Sequence, residues 1–303
     1  MARNSIKSSS SERLFNVINI GIMLLLCAIT LYPFLNVLAH AFNDGADSAR
    51  GGITIYPRVF TLENFQTVLK NEELKSAAVI TISRTIIGTF LSLTITSLAA
   101  YALSKKGLVG RSTILIYFTI PMFIGGTVVS NFIVMHQLHL LNNFLIYIIP
   151  GAFSFFNMII MRTYFYTIPS SLEESARIDG ASDFRIFIRI ILPLSIPMLV
   201  ALSLFVGVGH WNDFYTNLIY VYDQKLNTLQ FILMRIVKEQ NMMSFMNDLR
   251  NYQPGKVGEQ VRQMTPEAIR NATIVVTVFP IVIIYPFLQK YFIKGMMIGA
   301  VKE

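Results

Sequence analysis

The sequence predicts an all-α integral membrane protein with six spanning helices. Of its 303 residues, 53% are hydrophobic and 14% are charged, and the mean hydropathy is +0.55. An average soluble domain is about 25% charged, so this chain has too little charge to cover a soluble surface. Its apolar residues also fall into six long runs separated by polar segments, which is typical of helices that cross a bilayer.

The six predicted spans cover residues 14–38, 76–103, 112–134, 144–166, 184–208 and 272–292. The first contains 25 residues without a charge. A signal peptide has an apolar core of about 7–15 residues, so we expect an uncleaved span preceded by a basic cytoplasmic lead at residues 1–13. Ala39-His40-Ala41 imitates a cleavage site, and processing there is the alternative.

The long polar segments of the chain are expected outside the bilayer. Residues 41–75 predict a strand or turn and then a short helix capped at Thr61. Residues 210–271 read as a polar loop in which 226–237 forms an amphipathic helix on the membrane face. Pro150-Gly151 breaks the fourth span.

Basic residues decide the orientation of the six spans. With both termini inside, the inner regions hold 13 Lys or Arg against 6 Asp or Glu, whereas the two long outer loops hold 11 of each. Positive charge accumulates on the cytoplasmic side, so the termini and the segment around residue 175 are predicted to be cytoplasmic. The net charge of +8 therefore indicates topology and not nucleic-acid binding.

The polar segment 169–183 predicts a short surface helix at residues 170–180. Pro169 blocks the preceding helix, and Ser170 with Glu173 has the spacing of a capping box. Glu173 and Arg177 are spaced as i,i+4 partners, and Gly180 tolerates the left-handed turn that ends many helices. Small side chains on one face would let another protein approach the backbone closely, so the segment is suited to docking.

Seven positions in and after this segment carry a resemblance to a known family. They follow the spacing E-A-A, three residues, G, nine residues, I-x-L-P of ABC importer membrane subunits, with serine at the second position: Glu174, Ser175, Ala176, Gly180, Ile190, Leu192 and Pro193. The stretches AAYALSK, GHWNDFY and YPFLQKYFIKGMMIGAVKE resemble the carbohydrate, maltose-permease-like branch. Within it the chain is most similar to oligosaccharide permeases of the lipoprotein-gene and aldouronate type.

The resemblance implies that residues 14–303 form the six-span permease domain of an ATP-driven importer in a bacterial cell membrane. The helix at 170–180 would be a coupling helix that contacts an ATPase and passes motion to a rigidly continuous fifth span. Its implied contact residues are Glu173, Glu174, Ser175, Ala176, Arg177, Asp179, Gly180 and Ala181.

The same resemblance implies the partners and the cargo. The partners are a second permease, two copies of an ATPase and an extracytoplasmic sugar-binding protein. The cargo is an oligosaccharide, with acidic sugars included, and a peptide or other polar solute is the alternative because the coupling loop is shared across cargo types. The chain has no G-x-x-x-x-G-K-[ST] motif, so ATP and Mg²⁺ are expected on the partner and no cofactor on this chain.

Four residues are candidates for the substrate path. Arg84 interrupts the second span, and an arginine facing lipid there costs about 2.5–3.5 kcal/mol, so it is expected to face a cavity or a partner. Its alternatives are snorkelling to the headgroups or pairing with the second permease. Trp211 with Asn212 and Asp213 could stack on and bond to a sugar, whereas a tryptophan in this place is also typical of an interface anchor.

Other classes of function lack the residues that they require. A secondary transporter needs acids at membrane depth, and no predicted span contains Asp or Glu. The residues converge on no catalytic constellation, so we expect a transport subunit and not an enzyme. The single cysteine, Cys27, excludes a thiolate metal cluster, and no metal site is expected.

Overall fold

Helices make up all the regular structure in the computed structural model, which describes residues 10–48, 50–251 and 265–300. Over those residues the β pairing is limited to one isolated bridge between Asn43 and Phe60. The predicted all-helical class is confirmed. The α-helices are α1 (Ser10–Ala41), α2 (Gly45–Ser48), α3 (Glu63–Lys70), α4 (Glu72–Ser104), α5 (Arg111–Ile124), α6 (Val128–Gln137), α7 (Phe155–Phe165), α8 (Ser170–Ile178), α9 (Asp183–Ile186), α10 (Leu192–Leu194), α11 (Ile196–Asn212), α12 (Tyr215–Tyr220), α13 (Leu229–Asn251) and α14 (Thr265–Ala300).

Three of these helices are long and apolar enough to cross a membrane, at Ser11–Ala41, Glu72–Ser104 and Glu267–Pro286. The number rises to five if each of two bent helix pairs is one span. In α1, the apolar side chains are exposed along the helix, and a helix that is apolar all round needs lipid or another helix around it. Most of the predicted lead at 1–13 lies outside the described residues, and its last four residues belong to α1.

The two bent pairs replace helices that the sequence predicted as single spans. α5 and α6 meet at 120°, where Gly125 has φ +64°. The helices within Asp183–Leu194 and Ile196–Asn212 meet at 78°. A π-helical turn at Phe187–Ile191 precedes this bend. The expectation of a rigidly continuous fifth span is therefore wrong: a π turn and the prolines that follow it interrupt the ordinary i to i−4 hydrogen-bond ladder.

The predicted fourth span, 144–166, is only partly helical. A 3₁₀ turn at Phe144–Tyr147 is followed by a non-helical stretch through Pro150-Gly151, and α7 begins at Phe155. The break that the sequence predicted at this pair is present. With 11 residues, α7 rises only about 16 Å, which is about half the thickness of a hydrocarbon core.

Contacts divide the chain into two units, Met1–Lys70 with Ile236–Val276 and Asn71–Arg235 with Thr277–Glu303. In the second unit α4 packs against α7 and α11 around a buried apolar cluster. This cluster consists of Ala100, Tyr101, Leu103, Phe155, Met158, Met161, Phe165, Ile186, Phe187, Ile191 and Leu202. The helix α4 is thus the central element of this unit.

The first unit contains a short polar segment that is folded around one asparagine. Asn43 is fully buried, accepts a hydrogen bond from the Val59 backbone N–H (2.8 Å), and donates to the Asp44 carbonyl, Asp47 and Ser48. The predicted helix after Thr61 is present as α3, and the Thr61 hydroxyl accepts from the Glu63 N–H (3.2 Å).

The region predicted as a long polar loop, 210–271, is largely helical where it is described. It contains α12, a 3₁₀ turn at Gln224–Leu226 and α13. The start of α13 packs into the second unit, since the Leu229 N–H donates to Thr81 (2.9 Å) and Arg235 bonds to Glu73 (2.7 Å). The interpretation of 226–237 as a helix on the membrane face is wrong, because Leu229, Ile232 and Leu233 are buried.

Candidate functional site

A polar cavity of about 340 Å³ lies in the second unit beside the middle of α4. Its walls come from α4, from the segment between the 3₁₀ turn and α7, and from the end of α11. The polar side chains on these walls include Arg84, Ser92, Tyr147, Asn157, His210 and Asp213. A concave site with several converging polar groups is the kind of place where a polar solute binds.

Arg84 and Asp213 form a buried ion pair at this cavity. Arg84 is 1% exposed, and its Nη2 lies 2.6 Å from Asp213 Oδ2. Its Nη1 also donates to the Asp213 backbone carbonyl (3.0 Å), and the guanidinium lies 4.4 Å from the centroid of the Tyr147 ring. The burial of Arg84 excludes snorkelling and agrees with the prediction that it faces a cavity. The structure brings together two of the four predicted substrate-path residues.

The guanidinium of Arg84 retains an unused donor. Among the described residues its Nε has no hydrogen-bond partner. A buried donor without a partner is costly, by about 1–3 kcal/mol. The Arg84 Nε–H can therefore donate a further hydrogen bond to an oxygen atom of a bound molecule.

Tyr147 and His210 are functional candidates that the sequence reasoning missed. His210 occupies a gap left by two glycines, because a Cβ on Gly88 would lie 2.6 Å from its Nε2 and a Cβ on Gly151 would lie 3.4 Å from its Cε1. These glycines are 63 residues apart, so no local pattern links them to His210. The one available signal is that His210 is part of the GHWNDFY stretch.

The other two predicted substrate-path residues lie elsewhere. Trp211 is 8% exposed, and its indole N–H donates to the Thr277 carbonyl of α14 (3.1 Å). The interpretation of Trp211 as a sugar-stacking residue is wrong, since its ring is buried and bonded to α14 and is not part of the cavity lining. Its interpretation as an interface anchor stays a prediction. Asn212 is exposed and is not part of the cavity lining.

The predicted docking segment contains α8, a helix with no buried residue. Glu174, Ser175, Arg177 and Asp179 are exposed, whereas Ala176 and Ala181 pack on the apolar cluster of the second unit. Gly180 has φ +77°, as the sequence predicted. The Ala181 N–H bonds to the Ala176 carbonyl (2.9 Å) and the Gly180 N–H to the Arg177 carbonyl (3.0 Å), which together form a Schellman motif.

Two predicted details of α8 are wrong. The helix starts at Ser170 with Pro169 as its N-cap, and no side chain caps it, so the capping box is absent. Glu173 and Arg177 do not pair with each other. Glu173 forms an ion pair with Lys105 at the end of α4, and Arg177 forms one with Asp183 (2.6 Å) at the start of α9. Partners from other elements replace the local ones that the spacing suggested.

Comparison with known proteins places these features in a family. Residues 92–298 match the family described as "Binding-protein-dependent transport system inner membrane component". Over 293 residues the chain is 34% identical to the polygalacturonan/rhamnogalacturonan transport system permease protein YtcP of Bacillus subtilis (strain 168), covering 96% of this chain and 99% of that protein. It is 35% identical to protein LplC of the same organism over 301 residues, covering 99% and 98%.

A solved structure has the same fold. It is a crystal structure of a bacterial ABC transporter involved in the import of the acidic polysaccharide alginate, and the matched chain is 28% identical. The alignment covers 94% of this chain and 99% of that chain, with a TM-score of 0.83. The fold described above is thus shared over nearly the whole length of both chains.

Proposed function

This chain belongs to the binding-protein-dependent transport system inner membrane components, and we propose that it is the permease subunit through which an ATP-driven importer moves an acidic oligosaccharide. Two of the proteins it resembles are named for saccharides, one for the transport of polygalacturonan and rhamnogalacturonan and one for the import of alginate. The observation that carries the acidic cargo is the cavity with Arg84 at its wall. The peptide alternative finds no support among these relatives.

The proposed path passes the cavity between α4 and the end of α11. The Arg84 Nε supplies a free buried donor, and His210, Ser92 and Asn157 supply neutral polar groups that suit sugar hydroxyls. A carboxylate or hydroxyl oxygen that reaches Arg84 would satisfy this donor. Asp213 stays bonded to the guanidinium and prevents the site from holding a negative cargo too tightly for release.

Uptake assays on Arg84 variants test this path. Arg84→Gln removes the charge and should abolish uptake of an acidic oligosaccharide while the assembly still purifies intact. Arg84→Lys keeps the charge but loses the planar donor set and should give intermediate uptake. Asn212→Ala is the matched control, because Asn212 is exposed outside the cavity. Normal uptake by Arg84→Gln would contradict the role of Arg84.

We propose six spans with both termini in the cytoplasm. The six spans are α1, α4, the two bent pairs, the segment 144–166 and α14. The charge asymmetry of the loops supports the orientation. Single cysteines placed in a Cys27→Ser background test it with an impermeant maleimide. Thr54→Cys should react from outside and Gly107→Cys only after the membrane is opened. The reverse pattern would invert the topology.

We further propose that α8 is the coupling helix. Its full exposure on one side and its anchoring by Ala176 and Ala181 on the other are what a docking element needs. In this assembly a second permease pairs with this chain, two ATPase copies bind ATP and Mg²⁺, and a sugar-binding protein delivers the cargo from outside. This chain itself binds no cofactor.

Purification of the chain in mild detergent with its native partners tests the assembly. Mass spectrometry should find an ATPase, a second permease and a sugar-binding protein, and candidate oligosaccharides should stimulate ATP hydrolysis. A chain that purifies alone or with a peptide-binding protein would contradict the proposal. Gly180→Val should uncouple uptake from hydrolysis, because a β-branched residue at φ +77° distorts the end of α8. Loss of membrane insertion in this variant would instead give Gly180 a purely structural role.

A further inference from the structure

The ion pairs of α8 reach two different parts of the second unit. Among the described residues, Arg177 pairs with Asp183, only six positions along the chain, and both side chains are more than half exposed. Glu173 pairs with Lys105, which is 68 positions away, and these side chains are 23% and 25% exposed. The second pair is better sheltered from water and joins α8 to the C-terminal end of α4.

Lys105, the residue that follows the last residue of α4, lies against an aromatic ring of that helix. Its ammonium lies 4.0 Å from the centroid of the Tyr101 ring, one turn earlier on α4. Tyr101 is 8% exposed, packs 5.0 Å from the Phe187 ring and meets the Phe165 ring edge-on at 6.3 Å. Phe165 ends the helix before α8, and Phe187 follows the helix after it. One turn of α4 therefore contacts the chain on both sides of α8.

The covalent route from α8 into the membrane is interrupted. The chain passes through the π-helical turn at Phe187–Ile191 and then bends by 78° before α11. The Ser195 hydroxyl at this bend is buried without a partner among the described residues. Helices bend where their hydrogen-bond ladder is disturbed. A displacement of α8 would therefore partly change the bend here and would reach α11 only in part.

The helix α4 offers an uninterrupted alternative route. It is one α-helix of 33 residues, and Arg84 precedes Lys105 by 21 positions, which corresponds to about 32 Å along the axis. At the Arg84 position it is bonded to Asp213 at the end of α11. Both ends of this length of α4 are therefore tied by ion pairs, one to α8 and one to the wall of the cavity.

We propose that Lys105 is a positioning residue whose ion pair with Glu173 joins α8 to α4, so that displacement of α8 reaches the cavity along α4. This inference rests on the proposed function, in which α8 receives motion from an ATPase. Lys105 acts through Glu173 and Arg84 and touches neither nucleotide nor sugar. The expected signature is a change in sugar imported per ATP hydrolysed, with both activities still present.

Exchanging the charges of Lys105 and Glu173 in the reconstituted assembly tests whether this ion pair connects α8 to α4. Proteoliposomes that contain the full importer and its binding protein are assayed for uptake and ATP hydrolysis in the same preparation. Lys105→Glu and Glu173→Lys are each expected to lower sugar imported per ATP by about fivefold or more, the size of a modest coupling free energy. The double exchange should restore the ratio to within about twofold. The matched control is Lys106→Glu, the exposed neighbour, which should leave the ratio unchanged.

Two results would contradict this role of the Lys105–Glu173 pair: single variants with a normal ratio, or a double exchange without recovery. A proportional fall of uptake and hydrolysis counts as a normal ratio, because it reports only a smaller amount of folded assembly. If the charge reversals fail to insert, Lys105→Gln and Lys105→Arg decide, since only the arginine should keep the ratio. Wild-type vesicles in which sugar does not stimulate hydrolysis would instead refute the proposed function.

Discussion

Removing the charge of Asp213 is the sharpest test of how the cavity is built. Asp213→Asn keeps the size of the side chain and its backbone carbonyl, so the 3.0 Å hydrogen bond from Arg84 Nη1 can persist. It removes the carboxylate that lies 2.6 Å from Arg84 Nη2. Arg84 has a side-chain exposure of 2% and Asp213 one of 26%, so water replaces the lost partner only in part. The variant therefore leaves a buried cation without its counter-charge.

The cost can be bounded from the geometry. Two unit charges about 4 Å apart interact by roughly 4 kcal/mol at an effective dielectric constant near 20, and removing one partner of a buried pair typically costs about 3–5 kcal/mol. The Tyr147 ring and the remaining carbonyl offset part of this loss, and the Asp213 side chain is 26% exposed. We expect a destabilisation near the lower bound, about 3 kcal/mol.

Thermal unfolding of the purified assembly in detergent measures this cost. At about 2–4 °C per kcal/mol, Asp213→Asn should lower Tm by roughly 6–12 °C. Glu72→Gln is the control, because its pair with Lys75 has side chains 84% and 53% exposed, and such pairs contribute little. Arg84→Gln combined with Asp213→Asn should recover part of the loss. Equal Tm values for Asp213→Asn and Glu72→Gln would refute the reasoning.

Three further predictions follow from contacts in the two units. Gly88→Ala should reduce uptake, because its Cβ would lie 2.6 Å from His210 Nε2, whereas Gly209→Ala has open space and should not; equal uptake would contradict the contact. Asn43→Ala should destabilise segment 42–62 by about 1 kcal/mol, because the Val59 N–H loses its acceptor and the buried Asn43 side chain loses its bonds to Asp47 and Ser48; unchanged proteolysis there would argue against this. The hydrogen bond from Asn43, followed by Arg58, lowers the pKa of Asp47 in the folded chain. The ionised Asp47 carboxylate therefore contributes to folding stability above its unfolded pKa of about 3.9, and this contribution is lost as the pH falls below that value. Pepsin cleavage at pH 2–4 should therefore be less pH-dependent in Asp47→Asn.

Local rules predicted what depends on neighbours in the sequence. The apolar runs predicted the long helices, and the need for positive φ predicted the turn at Gly180. The capping box at Ser170 failed because Glu173 has a stronger partner in Lys105, an ion pair that no local rule can anticipate. The fourth span was overestimated because hydropathy registers apolar side chains and not backbone hydrogen bonds, which Pro150-Gly151 interrupts.

The cavity could be predicted only in part. Arg84 stood out because an arginine in an apolar run must avoid lipid, and that argument named its kind of environment correctly. Its partner could not be identified, since Asp213 lies 129 positions away and several polar residues were equally plausible. Trp211 was misread because its residue type suits sugar binding, whereas its position on α11 points it at α14. Side-chain direction depends on packing, which composition does not contain.

The ion pairs Arg84–Asp213 and Lys105–Glu173, which connect α4 to α11 and to α8, differ in burial. We therefore expect them to respond differently to salt. Arg84–Asp213 is largely shielded from solvent, so breaking it would leave a buried charge, and we expect it to persist through the transport cycle. The Lys105–Glu173 pair is about one-quarter exposed on each side, so salt can screen it. Raising the ionic strength from about 0.1 to 1 M shortens the Debye length from about 10 to 3 Å and should lower sugar imported per ATP without shifting the Arg84 contribution to Tm. Because the Arg84–Asp213 pair persists while the Lys105–Glu173 pair can break, α4 would move together with α11 and could separate from α8.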